Sequence, residues 1–381
     1  MHASCREDAV LALVASLRTD EIELMNEVLH DAGLGRPLGL PAEPWSTEDD
    51  ASQVVVLPVT GVDPATIRDE LRRARRRGVD VPELIPDFQY AAGTVDDGAK
   101  HYDYLYTAGG KKIGHSAIAW LPAPEYAMTT KPVWRRLARR PVVALLDSGV
   151  EPHGWLPDPD ADDPFMLSAS GWRERVPIPE PDDGKACSHH GHGTFMAGLI
   201  RAAAPDARLL PMRVMSDMGQ VSELNVAAAL TWLADYVRRG GVVDVVCMAF
   251  GRFEDNDDEG LDLVREAIRT LSNRGVTIVA SAGNHGSERA VYPAAFAVDP
   301  ELSVVSVGAR TSETERAQFS GHGVWVREWR DGVDVVGPMP LTVKDIGEDG
   351  YAWWSGASFA AAAYTGEMAQ STLSHRGRIA A

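Results

Sequence analysis

Cysteine is scarce in this sequence, which has only Cys5, Cys187 and Cys247 among 381 residues. Three scattered cysteines do not make the disulfide framework that is typical of oxidising compartments. The opening residues, MHASCREDAVLALVASLRTDEIE, place acidic residues on both sides of a short apolar stretch. We interpret that stretch as an amphipathic helix and not as a signal peptide. The sequence therefore predicts a cytoplasmic protein.

Long apolar runs and an excess of basic residues are also missing. No stretch reaches the roughly 18 apolar residues that mark a membrane-spanning helix, so we expect no membrane association. Lys and Arg number 37 against 55 Asp and Glu, which gives a formal net charge of −18. That balance disfavours nucleic acid as a partner, and we interpret it as a solubility feature. Apolar residues make up 45% of the chain, which is typical of a globular protein with a full core.

The first third of the chain is predicted to form two small units. Residues 1–50 are expected to be a helical segment and a linker, because apolar residues recur at helical spacing over 6–30. Residues 51–125 are expected to form a small α+β unit. It has a β-branched strand at 53–59, a helix that starts at Asp63-Pro64 and ends near Gly78, and later a hairpin.

A larger domain is predicted over residues 126–381. Nearly continuous apolar runs, such as PVVALLDSGV and VVDVVCMAF, alternate there with helical patterns such as VSELNVAAALTWLADYVRR. Such runs are typical of buried parallel strands, and their alternation with helices predicts an α/β fold with helices on both faces of the sheet. In sheets of this kind, sites form at the carboxyl ends of the strands.

Four polar residues lie at the ends of these predicted elements. Asp147 ends a buried strand, His192 opens a helical run in SHHGHGTFMAG, Asn284 lies in the loop ASAGNHG, and Ser358 opens an alanine-rich helix. Taken alone, each has a structural interpretation as a turn, loop or helix-capping residue. Together they supply an orienting carboxylate, a base, an oxyanion donor and a nucleophile, in that chain order.

A metal site is a rival interpretation of the second motif. Cys187, His189, His190 and His192 are of the residue types that bind zinc. They lie too close together in sequence to close a tetrahedral site easily, and no second ligand cluster is evident. We therefore predict no metal and no cofactor.

The four motifs resemble those of the subtilisin-like serine peptidases. The resemblance rests on ALLDSGV around Asp147, HGHGTFMAG around His192, SAGNHG around Asn284 and SGASFAAA around Ser358. It implies a subtilisin-like α/β fold with a mainly parallel seven-stranded sheet. It also implies endopeptidase activity on a peptide or protein substrate. Ser358 would be the nucleophile, His192 the base, Asp147 its orienting group and Asn284 an oxyanion donor.

The resemblance also implies a substrate cleft. MAFG resembles the edge strand that pairs with the substrate backbone, and Val291-Tyr292-Pro293 resembles the wall of the pocket that receives the side chain before the cut bond. The implied substrate-binding residues are Ala249, Phe250, Gly251, Ala282, Gly283 and Val291. Val291 is larger than the glycine often found at that wall, so we expect a pocket for small or medium aliphatic side chains. The chain departs from the family at Ala357, usually Thr, and at Ala362, usually Pro. Neither position transfers a proton in the implied reaction, so we expect these departures to leave catalysis intact.

The N-terminal region leaves two further expectations open. Residues 53–90 resemble the family's inhibitory prodomain, most clearly in PELIPDFQY. One expectation is a latent peptidase, with residues 1–125 docked on the peptidase domain until they are displaced. The alternative is a catalytically silent member of the family that binds peptides or partners through its N-terminal region, which would dock on the partner.

Overall fold

The fold is described from a computed structural model of the chain. The described residues are 8–14, 19–39, 45–46, 53–62, 64–82, 84–86, 89–91, 104–106, 112–114, 139–161, 165–174, 178, 189–217, 219–254, 259–342 and 350–376. Within these residues, no helix is both long enough and apolar enough to cross a membrane.

A four-stranded sheet with two helices forms from the N-terminal part of the chain. Its strands follow the order β2-β3-β1-β4. Its elements are β1 (Asp8–Val14), α1 (Thr19–Asp31), β2 (Trp45–Ser46), β3 (Gln53–Val59), α2 (Pro64–Arg76) and β4 (Leu84–Pro86). Apolar residues of both helices, among them Met25, Leu29 and Ile67, share a core with Leu57 of β3. The predictions of the strand at 53–59 and of the helix that follows it are confirmed.

The prediction of a helix around residues 6–17 is wrong, because residues 8–14 form β1. The segment DAVLALV is apolar enough for either structure, and its neighbours decide between them. β1 pairs antiparallel with β3 along seven residues and with β4 on its other edge, so both edges find backbone partners. The predicted limit between residues 50 and 51 therefore passes through a single sheet.

Three short strands follow: β5 (Gln89–Ala91), β6 (Tyr104–Tyr106) and β7 (Lys112–Gly114). β6 and β7 pair antiparallel, which confirms the hairpin predicted in this region. The side chains of these strands lie outside the described residues.

The second part of the chain alternates strands with helices. Its elements are β8 (Val142–Asp147), α3 (His192–Ala203), β9 (Arg208–Arg213), β10 (Gln220–Ser222), α4 (Glu223–Arg238), β11 (Val245–Met248), β12 (Arg252–Phe253), α5 (Glu259–Ser272), β13 (Thr277–Ser281), β14 (Val291–Tyr292), a 3-10 helix (Ala294–Val298), β15 (Val304–Ser312), β16 (Glu315–Arg316), β17 (Glu328–Asp331), β18 (Val335–Pro338), β19 (Tyr351–Trp354) and α6 (Ala357–Arg376).

The principal sheet has seven strands, in the order β16-β15-β13-β11-β8-β9 with β17 beside β15. Its central pairs are parallel, and the pair of β15 with β16 is antiparallel. The predicted α/β fold with a mainly parallel seven-stranded sheet is confirmed.

Helices cover both faces of this sheet, and β8 shows how the sequence produces the two layers. Ala144 and Leu146 of β8 pack in the core that contains α4 and α5. Val143 and Leu145 pack in the core that contains α3 and Phe359 of α6. Because successive side chains of a strand point to opposite faces, a strand buried on both faces reads as one apolar run.

The two parts of the chain meet along β5. This strand pairs antiparallel with β10 in the register Gln89↔Ser222, Tyr90↔Val221 and Ala91↔Gln220. It also contacts β12, while β4 lies against α5 and β6 lies against β19. The N-terminal part therefore contacts the second part at several elements.

Candidate active site

Three neighbouring parallel strands end at one edge of the principal sheet. β8 ends at Asp147, β11 is followed by residues 249–251, and β13 is followed by residues 282–284. β11 pairs parallel with both β8 and β13, so their carboxyl ends lie side by side. Asp147 and Asn284 therefore reach the same edge from opposite sides of β11.

Asp147 and His192 form a buried pair at this edge. Nδ1 of His192 lies 2.8 Å from Oδ1 and 3.0 Å from Oδ2 of the Asp147 carboxylate. The same carboxylate accepts a hydrogen bond of 2.8 Å from the backbone N–H of Ser148. Both side chains are buried. Since Nδ1 faces the carboxylate, Nε2 is the ring nitrogen available to exchange a proton with a substrate.

Two glycines bring His192 to that position. Gly191 precedes the first residue of α3 with a φ of 79°, a conformation that L side chains rarely adopt. Gly193 lies against the backbone carbonyl of Gly149, where a Cβ would clash. This close approach brings the start of α3 against the loop that follows Asp147.

Aromatic rings surround the imidazole of His192. The ring centroids of Trp354 and Phe359 lie 5.5 Å and 5.6 Å from it, and Trp354 meets it edge to face. The ring centroid of His189 lies 5.6 Å from that of His192. These rings reduce the contact of the Asp147–His192 pair with water. The electrostatic interaction between Asp147 and His192 is stronger as a result.

Ser358 is the second residue of α6, and its side chain is buried. Its hydroxyl donates to the backbone carbonyl of Ala249 at 3.2 Å. The backbone N–H groups at the start of a helix favour negative charge nearby. The expected position of Ser358 at a helix N-terminus is confirmed.

Asn284 is buried beside the start of α6. Its side-chain oxygen accepts a hydrogen bond of 2.7 Å from the backbone N–H of Ala357. Its Nδ2 group lies 3.4 Å from the point where a Cβ of residue 356 would be. The amide donor therefore lies next to Gly356, two residues before Ser358.

The expected cleft residues lie around Gly251. A Cβ on Gly251 would clash with Cγ1 of Val291, and a Cβ on Gly283 would lie 3.8 Å from its Cγ2. Val291 is buried, and it packs with Ala282 and Phe253. The Val291 side chain therefore occupies the space between the segments 249–251 and 282–283. Ala249 and Phe250 are buried.

The histidines of the rival metal interpretation have other contacts. His190 lies between two carboxylates, those of Asp217 and Glu151, and His192 faces Asp147. Cys187 lies outside the described residues. Among the residues that the structure describes, no three His, Cys, Asp or Glu side chains converge as metal ligands.

Cys247 lies on β11 beneath the site and is buried. Burial raises the pKa of its thiol to about 12. The thiol is therefore protonated near neutral pH, and a protonated thiol is a poor nucleophile. Its burial and raised pKa therefore disfavour Cys247 as a nucleophile.

The sequence patterns missed the surroundings of the Asp147–His192 pair. The contacts of His190 come from residues 27 to 152 positions away, so no local motif announces them. The sequence shows Phe359 only as an aromatic residue within the motif around Ser358, and Trp354 only as the residue just before that motif. Their packing on His192 depends on the contact of β19 and α6 with α3.

Comparison with known proteins finds matches over the part of the chain that contains the candidate site. Residues 138–375 match the model of the Subtilase family. Subtilisin Savinase from Lederbergia lenta is 28% identical over 228 residues, which are 57% of this chain and 71% of that protein. Alkaline protease from Alkalihalobacillus alcalophilus is also 28% identical over 228 residues, and the match spans half of its length.

Solved structures give weaker matches. A lanthipeptide protease aligns with a TM-score of 0.48 and 22% sequence identity. The alignment covers 63% of this chain and 75% of that one.

Proposed function

Since the chain belongs to the subtilase family, we propose that it is a serine endopeptidase that uses Asp147, His192 and Ser358. One observation carries the proposal: Asp147 and His192 form a buried pair at the start of α3, in which Nδ1 of His192 contacts both carboxylate oxygens of Asp147. A carboxylate at Nδ1 fixes the tautomer of the ring and stabilises the imidazolium that forms when Nε2 takes a proton. The proposed substrates are peptides or proteins.

In the proposed reaction, Ser358 Oγ attacks the carbonyl carbon of the peptide bond while its proton passes to Nε2 of His192. The hydroxyl first turns from the carbonyl of Ala249, so one hydrogen bond is exchanged for another. Collapse of the tetrahedral intermediate breaks the C–N bond, and the leaving amine takes the proton from Nε2. Water then hydrolyses the acyl ester through the same base and regenerates Ser358.

The oxyanion of the intermediate is proposed to bind Nδ2 of Asn284 and the backbone N–H of Ser358. Two features support this role. The hydrogen bond from Ala357 to the Asn284 oxygen orients the amide, and the start of α6 adds the positive end of a helix dipole. Donors that are fixed before the reaction stabilise developing charge without reorganisation.

Latency is also part of the proposal. β5 pairs with β10 and contacts β12, and β12 directly continues the segment 249–251 that is expected to bind the substrate backbone. A strand in that place competes with the backbone of a substrate for the same side of the cleft. We therefore propose that residues 1–125 restrain the enzyme until they are displaced.

The test is covalent labelling of Ser358 with a fluorophosphonate probe, with Ser358→Ala as the control. A recognition sequence for a site-specific protease, inserted after residue 125, lets the full chain fold before the N-terminal region is released. We expect an adduct at Ser358 that forms faster after release. A folded chain without an adduct before or after release would contradict the peptidase and support the silent, partner-binding alternative. Equal rates before and after release would contradict latency alone.

A further inference from the structure

An ionic cluster lies next to the Asp147–His192 pair, and His190 is at its centre. Nδ1 of His190 lies 3.0 Å from Oδ2 of Asp217. Nε2 lies 3.1 Å from Oε1 of Glu151 and 3.2 Å from Oγ1 of Thr342. The Thr342 hydroxyl donates to the other oxygen of Glu151 at 2.7 Å. The four side chains thus form one connected network.

The members of the network come from four different segments around the site. Glu151 follows Asp147 by four residues, and His190 precedes His192 by two. Asp217 lies in the loop between β9 and β10, and Thr342 lies between β18 and β19. The network therefore joins the segments beside Asp147 and His192 to the loop that leads into β10, the strand that pairs with β5.

Backbone contacts connect this network directly to His192. The backbone N–H of His189 donates to the carbonyl of Asp217 at 2.8 Å, and that of His192 donates to the carbonyl of His189 at 3.0 Å. The backbone N–H of Glu151 donates to Oγ1 of Thr194 at 2.9 Å. A movement of His190 would therefore act on the turn that precedes α3.

The geometry requires a charged His190. Each ring nitrogen faces a carboxylate, and only the imidazolium has an N–H on both nitrogens. Hydrogen bonds to Asp217 and then to Glu151 raise the pKa of His190 to about 10. The hydrogen bond to His190 is also the main cause that lowers the pKa of Glu151 and that of Asp217. Two carboxylates and one imidazolium leave the network with one net negative charge.

We propose that His190 is a positioning residue for His192: as an imidazolium between Glu151 and Asp217, it holds the turn before α3 in the place where His192 meets Asp147. This inference rests on the proposed peptidase function and adds a residue to its machinery. Without the imidazolium, two carboxylates face each other across the turn and repel. The repulsion then moves the backbone that presents His192.

The experiment compares His190→Gln, which removes the charge, with His190→Arg, which keeps a cation and several N–H donors. The control is His153→Gln, a histidine of the same domain whose Nε2 contacts the backbone carbonyl of Gly350. The full-length chains carry the inserted cleavage sequence, and activity is measured after release. We expect His190→Gln to lower kcat about tenfold, since small displacements of catalytic groups cost one to two orders of magnitude. KM should change less, His190→Arg should recover most of the loss, and His153→Gln should keep wild-type kcat.

The pH profile separates this role from a packing role. Replacing the imidazolium leaves the network next to the proposed base with two negative charges instead of one. The acidic limb of kcat/KM in His190→Gln should therefore move upward by a few tenths of a pH unit, as expected for one screened charge at this range. The other titratable groups near Asp217 are His189 and Arg213, which all the variants retain. The inference would be overturned if His190→Gln kept the acidic limb of kcat/KM unchanged and its kcat stayed within about twofold of wild type.

A second readout does not depend on activity. The proton between His192 Nδ1 and Asp147 should give a strongly deshielded NMR signal in the full chain. We expect His190→Gln to broaden or remove this signal and His190→Arg to retain it. If the wild-type chain proved inactive while this pattern held, the proposed peptidase function would fail and the positioning role would stand. A sharp, unshifted signal in His190→Gln would refute the positioning role.

One outcome of this design is that His190→Gln does not fold. In that event Glu151→Gln takes its place, because Glu151 is partly exposed and its loss leaves the His190–Asp217 contact intact. We expect a smaller decrease in kcat, and the acidic limb of kcat/KM should move downward because this variant removes a negative charge. Wild-type kcat and an unchanged deshielded signal in Glu151→Gln would then count against the inference.

Discussion

Asn284 is positioned by the backbone N–H of Ala357, which comes just before the proposed nucleophile. Asn284→Ala removes one of the two proposed oxyanion donors and should leave the fold intact. Losing one such donor costs about 3 kcal/mol of transition-state stabilisation, so kcat should fall about a hundredfold or more while KM changes little. Steady-state kinetics after release of the N-terminal region would check this. An unchanged kcat would remove Asn284 from the proposed oxyanion site.

Val291 fills the space between the two segments that border the expected pocket. Val291→Gly should open that space, so that larger side chains fit before the cut bond. A pocket typically discriminates about 10-fold to 200-fold per methylene group, and the preference for Leu or Phe over Ala should rise by at least about tenfold. Profiling with a peptide library would measure the change. The matched control is Val324→Gly, at an exposed valine; a wild-type library profile dominated by Phe or Tyr would contradict the narrow pocket.

The His190 network also predicts how stability depends on pH. The pKa of His190 is raised in the folded chain from its ordinary value of 6.5 to about 10, so its contribution is complete below pH 6.5 and is lost as pH rises toward 10. Glu151 and Asp217 have lowered pKa values, so their contribution is present above their ordinary range and is lost as pH falls. The difference in Tm between wild type and His190→Gln should therefore be largest near pH 5 to 6.5 and shrink toward pH 10. A difference that stays constant from pH 5 to pH 10 would contradict this assignment.

At the residue scale, the sequence predicted the placement of the four proposed catalytic residues because each lies in a short motif at the end of an element. Asp147 ends an apolar run, and Ser358 follows a glycine and opens an alanine-rich helix. The network of His190 could not be predicted, because its partners are distant in sequence and are brought together by the fold.

Among the elements, the contact between α3 and α6 determines how His192 and Ser358 approach each other. Gly366 of α6 lies against α3: a Cβ there would be 2.6 Å from the Cβ of Ala203 and 2.7 Å from the carbonyl oxygen of Ile200. Gly366→Ala should therefore force the helices apart. Overpacking of this kind costs about 1–3 kcal/mol, which would lower Tm by about 2–12 °C in a domain of this size.

Thermal unfolding would measure that effect, and labelling of Ser358 would show whether the site is disturbed. Ser371→Ala is the matched control, since Ser371 is an exposed residue of the same helix. We expect a change in its Tm of about 1 °C or less, as for most exposed substitutions. A Tm of Gly366→Ala equal to that of the control would show that the helices accommodate the methyl group.

The elements also show where local patterns are insufficient. Helical spacing predicted a helix around residues 6–17, and the structure has β1 there. The preference of an apolar segment such as DAVLALV is weak, and pairing with β3 and β4 outweighs it. In contrast, β8, β11 and β13 are buried on both faces. Burial on both faces requires apolar residues at successive positions, and such a run can be recognised in the sequence.

At the scale of the whole molecule, the contact of β5 with β10 predicts how specific activity depends on enzyme concentration. Within one chain, the N-terminal region is present at a high effective concentration near the cleft, and cutting the chain abolishes that advantage. Cut protein should therefore gain specific activity as it is diluted, while uncut protein should not. An assay over a range of enzyme concentrations, with the cleavage fragments left together, would check this. Specific activity that is independent of dilution in the cut sample would argue against restraint by the N-terminal region.

The position of Ser358 at the start of α6 also has a consequence for biosynthesis. Ser358 follows Asp147 by 211 positions, and a ribosome that adds about 5–20 residues per second needs roughly 10–40 s to cover that distance. During that interval the nascent chain lacks its proposed nucleophile, so the proposed peptidase could not cleave neighbouring chains. β5 leaves the ribosome long before Ser358, so the proposed restraint exists before there is an activity to restrain.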